Sequence, residues 1–394
     1  MVDLVLRPFQ AFLRLEASSG LLLLAAAAVA IVWANVSWET YAAAVGHEIA
    51  VGTAARFTVL DLVNEGLMTL FFLVVGMEIK RELVQGELDT MGKAALPAVA
   101  ALGGMLVPAA IYLALNPHAP IARGWAIPIA TDIAFSVGVL TLLRGRVPNA
   151  LIVFVTALAI FDDIGGILVI ALFYGHGVHP PALVAVVVCG AALAGLHRAR
   201  VQRGVAYLCL GVALWYATYS AGLHATLAGV GVGLAVPAQA RDDDPHSLLD
   251  RLEHALHPWV AFGVVPLFAL VNSGVFLGDV SWGSFTNPVT LGIALGLLVG
   301  KTVGIFGATA VAVRAGVAPR PGGATNPQLL GASMVAGIGF TVSLFIAALA
   351  FADAPPVLAD AKLGILVGSL WSGVAGFLVL RAVGPRYTAN DSTA

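Results

Sequence analysis

Residues 124–135 have the sequence Gly-Trp-Ala-Ile-Pro-Ile-Ala-Thr-Asp-Ile-Ala-Phe, an apolar stretch that a proline and an aspartate interrupt. Pro128 removes a backbone hydrogen-bond donor and tends to break a helix. A broken helix exposes amide and carbonyl groups with opposite partial charges, which a membrane tolerates only where they line a cavity. The stretch therefore predicts an interrupted transmembrane helix. Asp132 would offset the positive end of one half, and Thr131 would offer a neutral oxygen ligand.

The composition of the whole chain agrees with a membrane protein. Of the 394 residues, 59% are hydrophobic and 11% are charged, and the mean hydropathy is +0.94. A soluble domain carries about 25% charged residues. The formal net charge of −2 and the lack of a basic block exclude a nucleic-acid binder. We therefore expect an all-α polytopic membrane protein.

Twelve apolar stretches approach the roughly 20 residues that a membrane-spanning helix needs. They are centred on 17–34, 59–79, 95–115, 121–143, 148–174, 181–197, 204–219, 222–236, 256–276, 288–313, 327–351 and 358–380. The stretches 204–219 and 222–236 are short enough to form one broken unit. With the amino terminus in the cytoplasm, only Arg56, Arg123 and Lys362 of the basic residues fall outside, and Lys301 falls in the membrane. This asymmetry follows the positive-inside rule and places both termini in the cytoplasm.

A second interrupted stretch lies in the other half of the chain. Residues 336–343 read Ala-Gly-Ile-Gly-Phe-Thr-Val-Ser, so Gly337 and Gly339 interrupt a span and the hydroxyl of Thr341 follows them. Interrupted segments at corresponding places in two halves point to inverted repeats around a midplane site. The alternative is that these glycines only permit close helix packing.

Four ionisable residues lie well inside predicted spans: Asp132, Asp162, Asp163 and Lys301. A charge at mid-bilayer costs at least ~2.5 kcal/mol and marks an ion or substrate pathway by default. Structural ion pairs between helices are the alternative, but one lysine leaves two of the three carboxylates uncompensated.

Asp162 and Asp163 are neighbours on one helix and project about 100° apart. One of them can face a water-filled cavity while the other meets Lys301. Burial raises the pKa of a carboxyl group in general, and a nearby lysine opposes the rise. Such a group can exchange a proton for a small cation that prefers oxygen ligands. Competition of H⁺ and a cation for one site is the minimal chemistry of an antiporter.

Other classes of protein fit the acidic residues less well. The run 162–166 lacks the third acid of the magnesium-binding DDxxD motif of prenyl transferases. An intramembrane aspartyl protease could use Asp132 with Asp163, but the chain has no GxGD sequence and that chemistry has no use for Lys301. A proton-coupled carrier of another small solute would need a roomier cavity. A channel does not require a carboxylate that alternates between proton and cation.

Charged residues also gather at the predicted cytoplasmic edge. Glu78, Arg81 and Glu82 share one face of the second span, and Glu253, His254 and His257 begin the ninth. Histidine changes charge near neutral pH, and neighbouring carboxylates shift that point. A solvated face with ordinary surface ion pairs is the alternative. We call these six residues the edge cluster.

From about residue 15 to residue 382 the chain resembles the NhaA-type sodium/proton antiporters of bacterial inner membranes. The stretches that carry the resemblance are 66–83, 124–135, 157–165 (Ala-Leu-Ala-Ile-Phe-Asp-Asp-Ile-Gly), 224–230, 252–260, 300–301 and 337–341. The resemblance implies one transmembrane domain over 1–394 with twelve helices. Helices 3–5 (about 95–174) and 10–12 (about 288–380) would form inverted repeats, and the unwound fourth and eleventh helices would cross. Homodimers would form through an outer hairpin near 45–58.

The resemblance also implies residue roles. Asp163 would bind the transported Na⁺ or Li⁺ together with Asp162, which would also form a salt bridge with Lys301. Asp132 and Lys301 would balance the half-helix ends, and Thr131 would contribute near the site. Exchange would be electrogenic, would expel sodium and would need no cofactor. The edge cluster and His224 would form the pH-response region.

Two residues depart from the family pattern. Glu65 stands where aspartate is expected, and Thr302 follows Lys301 where proline is common. We expect Glu65 to alter a minor polar contact. Thr302 would straighten the tenth helix and change how Lys301 reaches Asp162.

Overall fold

The computed structural model describes residues 2–51, 55–86, 90–143, 145–175, 177, 179–240 and 247–383. Within these ranges the α-helices are α1 (Val2–Val36), α2 (Trp38–Val45), α3 (Val59–Asp61), α4 (Met68–Gln85), α5 (Met91–Leu115), α6 (Ile133–Leu142), α7 (Asn149–Phe173), α8 (Pro180–Arg198), α9 (Gly204–Ser220), α10 (Thr226–Ala235), α11 (Leu248–Trp259), α12 (Val265–Asn272), α13 (Trp282–Thr286), α14 (Pro288–Leu295), α15 (Lys301–Arg314), α16 (Asn326–Val335), α17 (Phe340–Ala350) and α18 (Pro355–Val383). The residues that would report both termini, Met1 and 384–394, lie outside the described part of the chain.

Short stretches of other helical geometry join several of these helices. In the described part of the chain, π-helical turns occupy Leu62–Leu67, Val260–Val264 and Gly296–Gly300. The 3₁₀ segments there are Ile121–Ile129, Leu277–Asp279 and Pro321–Gly323. The π turn Gly296–Gly300 ends immediately before Lys301, and the 3₁₀ segment Ile121–Ile129 contains Pro128. Both departures from α geometry thus adjoin predicted site residues.

The described residues contain nine helical stretches that are long and apolar enough to cross a membrane: Ser18–Val36, Val59–Gln85, Gly92–Leu115, Ile121–Leu142, Asn149–Phe173, Pro180–Arg198, Leu248–Asn272, Pro288–Arg314 and Pro355–Val383. Helices α16 and α17 are bent by 45° at a short break and make a tenth if they are counted as one broken span. Helices α9 and α10 are apolar but shorter. The chain is therefore a polytopic helical membrane protein, and the count of twelve stays a prediction.

The ninth predicted stretch begins earlier than the sequence suggested. We expected it near 256, but α11 begins at Leu248. The Ser247 hydroxyl and the Asp250 carboxylate form a reciprocal capping box that starts the helix there. Because charged residues follow the cap, a prediction from hydropathy alone places the start of this helix too late in the sequence. Glu253, His254 and His257 consequently lie within the helix and do not begin it.

The helical architecture includes one short pair of strands. Strands β1 (Glu48–Val51) and β2 (Ala55–Thr58) pair antiparallel, with Glu48 opposite Thr58. Valine, isoleucine, phenylalanine and threonine favour strands, and the segment lies outside the long apolar stretches. The pair occupies the segment expected to form an outer hairpin. Residues 52–54 between the strands lie outside the described part, and a role in a dimer stays a prediction.

The chain groups into two compact units. The first comprises 1–25, 90–166 and 275–394, and the second comprises 26–89 and 167–274. The first unit contains most of both segments assigned to the predicted repeats, and the second contains the edge cluster and His224. The single domain over 1–394 stays a prediction.

Glycines allow close helix contacts inside each unit. A Cβ on Gly103 of α5 would overlap the Gly304 carbonyl oxygen of α15, which is the helix that carries Lys301. In the second unit, a Cβ on Gly76 of α4 would lie 2.8 Å from the Val230 carbonyl oxygen of α10. Membrane helices rely on small residues for such approaches, because lipid supplies little hydrophobic drive for association. These contacts fix the helices that present the ionisable side chains.

Candidate functional site

Two interrupted spans of the first unit meet at their breaks. The Asp132 backbone N–H donates to the Ile338 carbonyl oxygen at 2.6 Å, and the Thr131 hydroxyl lies 2.8 Å from the Ala336 carbonyl oxygen. A Cβ on Gly339 would overlap the Ser343 hydroxyl and would lie 3.1 Å from the Ala130 carbonyl oxygen. Glycine at this position therefore both interrupts the span and permits the close approach, so the two interpretations of the glycines are compatible.

Asp132 is buried between the amino termini of two half-helices. Its Oδ1 accepts a hydrogen bond from the Phe135 N–H at 3.1 Å and so caps α6. Its Oδ2 accepts from the Thr341 N–H at 3.1 Å and from the Thr341 hydroxyl at 2.5 Å, in the first turn of α17. Helix amino termini carry partial positive charge, which an acidic cap offsets. One carboxylate thus serves both half-helices, which places Asp132 where charge compensation was expected.

Lys301 and Asp162 form a buried ion pair. The Lys301 Nζ contacts Asp162 Oδ2 and donates to the Thr131 hydroxyl at 2.6 Å. Lys301 is 0% exposed and Asp162 is 1% exposed. A buried pair persists when further hydrogen bonds satisfy its charged groups, and Thr131 contributes to both partners.

Thr131 also connects the ion pair to the end of a half-helix. Its hydroxyl oxygen lies 2.6 Å from Asp162 Oδ2 and 2.8 Å from the carbonyl oxygen of Ala336, directly after α16. A hydroxyl donates one hydrogen bond at a time. The Thr131 hydroxyl therefore donates either to Asp162 or to Ala336, and in the second case it connects Lys301 to the negative end of α16.

One carboxylate oxygen of the Asp162–Lys301 pair has no hydrogen-bond donor among the described residues. The second oxygen of Asp162, Oδ1, is buried, and no donor within the described residues hydrogen-bonds it. Asp163 is 7% exposed, and its charge acts on Lys301. The described residues contain no group of three His, Cys, Asp or Glu side chains arranged for a metal.

Thr302, directly after Lys301, lies inside one continuous span. Helices α14 and α15 and the π turn between them form one span, Pro288–Arg314. The Thr302 hydroxyl donates to the Leu298 carbonyl oxygen of the same span at 2.5 Å. Lys301 of the same span contacts Asp162. The expected effect of Thr302 on this contact stays a prediction.

Most of the edge cluster is assembled in the second unit. The Arg81 guanidinium pairs with Glu253 Oε1 and lies 3.6 Å from Glu82 Oε1. The His257 Nδ1 lies 3.3 Å from Glu78 Oε1. His254 points to an exposed face of α11. The structure thus joins α4 to α11 through charged side chains, with His254 away from these contacts.

His224 lies elsewhere in the second unit. Its Nε2 is 2.6 Å from the Tyr174 carbonyl oxygen, just after α7, and its Nδ1 is 3.8 Å from Glu65 Oε1. The Glu65 backbone oxygen accepts from the Trp215 indole at 3.0 Å. Glu65, which departs from the family pattern, therefore lies beside His224.

Two kinds of polar contact were not predicted from the sequence. Lys80 turns away from the edge cluster and donates to the Leu234 and Val236 carbonyl oxygens at 2.7 and 2.5 Å, at the end of α10. Ser136 and Ser343 bond backbone carbonyls across the two breaks. The one signal for the serines was their position one turn after each interruption, and a serine in a helix ordinarily bonds its own backbone.

The chain is similar to known proteins over nearly its whole length. The model of the Na⁺/H⁺ antiporter 1 family matches residues 10–380. The chain is 52% identical to the Na⁺/H⁺ antiporter NhaA 1 of Myxococcus xanthus strain DK1622, over 96% of this chain and 93% of that protein. It is 53% identical to the Na⁺/H⁺ antiporter NhaA of Anaeromyxobacter sp. strain Fw109-5, over 98% and 93% of the two chains. It is 48% identical to that of Rhodospirillum rubrum, over 95% and 98%.

Proposed function

Because the chain belongs to the Na⁺/H⁺ antiporter 1 family and is a Na⁺/H⁺ antiporter, we propose that Asp163 and Asp162 form the site at which Na⁺ and H⁺ compete. The observation that carries this proposal is the buried Asp162–Lys301 pair, in which Asp162 Oδ1 is free of hydrogen-bond donors within the described residues. Membership in a family of transporters sets aside the enzyme alternatives.

The proposed cycle has two states of one site. Deprotonated carboxylates of Asp163 and Asp162 hold a dehydrated Na⁺ or Li⁺, and Thr131 supplies a neutral oxygen. When the cation binds, Lys301 loses its proton and releases Asp162. After the cation leaves, one proton returns to Asp163 and a second to Lys301, which pairs again with the Asp162 carboxylate. No cofactor takes part, because both steps exchange only protons and the cation at side-chain atoms.

Because both carboxylates of the proposed site are buried, we infer that the site opens to the two sides of the membrane in turn. Asp162 and Asp163 are 1% and 7% exposed, so both must gain contact with water during the cycle. In this proposal the broken spans, fixed by Asp132, supply the half-helix ends at the site. Twelve helices with inverted repeats over about 95–174 and 288–380 would produce this arrangement, with α9 and α10 as the two shorter spans.

Electrogenic exchange is the form that the charges favour. Two carboxylates and one lysine in one site offer more than one titratable group for each cation. An inward proton gradient would then expel Na⁺ from the cytoplasm across a bacterial inner membrane. The distribution of basic residues supports cytoplasmic termini.

We assign pH response to the edge cluster and His224. The contact between His257 and Glu78 becomes an ion pair only when the histidine is protonated. As a separate part of the proposal, two copies of the protein form a dimer through β1 and β2.

Everted membrane vesicles test the proposed selectivity. With an acidic interior established by respiration, added Na⁺ or Li⁺ is expected to release protons from the vesicles, and added K⁺ is not. An equal response to K⁺ would contradict a site built from two carboxylates and a hydroxyl. Vesicles without the protein supply the control.

A further inference from the structure

Two buried serines occupy matching positions at the two breaks. Ser136 lies in α6, one turn after Asp132, and Ser343 lies in α17, one turn after Gly339. The Ser136 hydroxyl donates to the Val335 carbonyl oxygen at 3.1 Å, at the end of α16. The Ser343 hydroxyl donates to the Ile127 carbonyl oxygen at 2.7 Å, near the end of the 3₁₀ segment Ile121–Ile129. Each half-helix thus supplies a donor to the end of the opposite one.

These contacts answer a specific need of broken helices. The last carbonyl groups of a helix lack partners within it. A buried carbonyl group that lacks donors costs free energy, since no water replaces them. The Val335 carbonyl oxygen accepts one hydrogen bond from the Ile338 N–H at 3.1 Å, and the Ser136 hydroxyl supplies its second donor. Ser136 and Ser343 are both 0% exposed. Ser333 of α16 is also buried, but its hydroxyl bonds the Leu329 carbonyl oxygen of its own helix.

We propose that Ser136 and Ser343 form a reciprocal clasp that positions the two breaks for cation binding. The proposal rests on the assignment of the exchange site to Asp162 and Asp163. The two serines are positioning residues, because they act through backbone atoms next to the site.

The clasp reaches the ion pair through one short connection. Val335, which accepts from Ser136, adjoins Ala336, whose carbonyl oxygen is an acceptor for Thr131. Thr131 in turn contacts both Lys301 and Asp162. Loss of the clasp would let the end of α16 shift and would move the Thr131 hydroxyl relative to the carboxylate. The expected result is weaker cation binding.

Exchange kinetics in proteoliposomes test the clasp. We expect Ser136→Ala and Ser343→Ala each to raise the KM for Na⁺ at least threefold, with kcat within twofold of the unsubstituted protein. Ser333→Ala is the matched control, because it removes a buried hydroxyl that bonds only its own helix, and its KM is expected to stay within twofold. Rates are normalised to folded protein, and the thermal midpoint is measured for each variant.

Several outcomes would overturn the clasp. Unchanged KM with a lowered thermal midpoint would show a purely structural role. A rise in only one serine variant, or an equal rise in Ser333→Ala, would also contradict reciprocal positioning. If the alanine variants do not fold, Ser136→Cys and Ser343→Cys replace them. The weaker thiol donor should still raise the KM, and an unchanged KM would overturn the proposal. Failure of the unsubstituted protein to exchange Na⁺ for H⁺ would instead refute the proposed function.

Discussion

Lys301 and Asp162 are the two residues on which the charge balance of the site depends. Neither has appreciable contact with solvent, and each supplies the counter-charge of the other. Removal of one partner from a buried ion pair leaves an uncompensated charge and destabilises a protein by about 3–5 kcal/mol. Replacement of both partners by neutral groups avoids that cost.

A pair of substitutions separates stability from transport at this position. Lys301→Met is expected to lower the thermal midpoint strongly, because Asp162 stays buried and charged. The double variant Lys301→Met with Asp162→Asn is expected to recover most of the midpoint but no exchange. Thermal unfolding in detergent and vesicle assays measure the two effects. If the double variant were as unstable as the single one, Asp162 and Lys301 would not be neutralising each other's charge.

Some residue roles were predictable from the sequence, and others were not. One lysine among three intramembrane acids suffices to predict an ion pair, and the family resemblance implies that Asp162 is its acidic partner. The direction of Lys80 toward the end of α10 depends on which helix packs beside it, which the sequence does not show. The reach of Ser136 and Ser343 across the breaks likewise requires the two half-helices to be in place. Local chemistry was predictable, but tertiary partners were not.

Asp132 joins the first turns of two half-helices, α6 and α17. The Asp132→Asn change keeps the size of the side chain but removes the charge that faces two helix amino termini. The NH2 group of the amide also faces either the Phe135 N–H or the Thr341 N–H, where only an acceptor fits. A loss of exchange of at least tenfold is expected, together with a lower thermal midpoint.

Asp360→Asn is the matched control for this element. Asp360 lies in the first turns of α18 and accepts a hydrogen bond from the Asn287 amide at 2.7 Å, away from the breaks. The same chemical change there is expected to leave exchange within twofold. Equal losses in the two variants would mean that Asp132 has no special role at the half-helix ends.

Helices α4 and α11 carry the pH-response hypothesis. His257 lies beside Glu78, and on the same two helices Arg81 pairs with Glu253 and lies near Glu82. At acidic pH a protonated His257 pairs with Glu78 and strengthens the link between the helices, and deprotonation releases it. If this link holds the inactive state, His257→Gln is expected to shift the activity profile toward acidic pH by at least half a pH unit.

Measured exchange rates across a pH series check this expectation. His118→Gln, an exposed histidine outside the edge cluster, is the control and should leave the profile in place. The exposed His254 is expected to produce a smaller shift than His257. A profile of His257→Gln identical to that of the unsubstituted protein would remove this histidine from the pH response.

Element boundaries were predictable wherever apolar length decided them. The span Pro288–Arg314 matches the stretch 288–313 nearly residue for residue. The start of α11 was missed by about two turns, because hydropathy does not register the capping box of Ser247 and Asp250. Strands β1 and β2 were expected only as a hairpin of unstated geometry. Short polar elements are thus set by capping and pairing, which a hydropathy pattern does not show.

For the whole molecule, the direction of charge movement is the property to test. If more than one H⁺ leaves for each Na⁺ that enters a proteoliposome, net positive charge moves outward. An inside-positive potential, set by K⁺ and valinomycin, should therefore drive Na⁺ uptake without a pH or Na⁺ gradient. Uptake that ignores the imposed potential would indicate electroneutral exchange.

Competition of Na⁺ and H⁺ at Asp163 is tested most directly by measuring the protons that the purified protein releases when Na⁺ is added in weakly buffered detergent solution. The unsubstituted protein is expected to acidify the medium on addition of NaCl and not of KCl. Asp163→Asn is expected to release at least tenfold fewer protons. Release from Asp163→Asn equal to that from the unsubstituted protein would contradict competition of Na⁺ and H⁺ at this carboxylate.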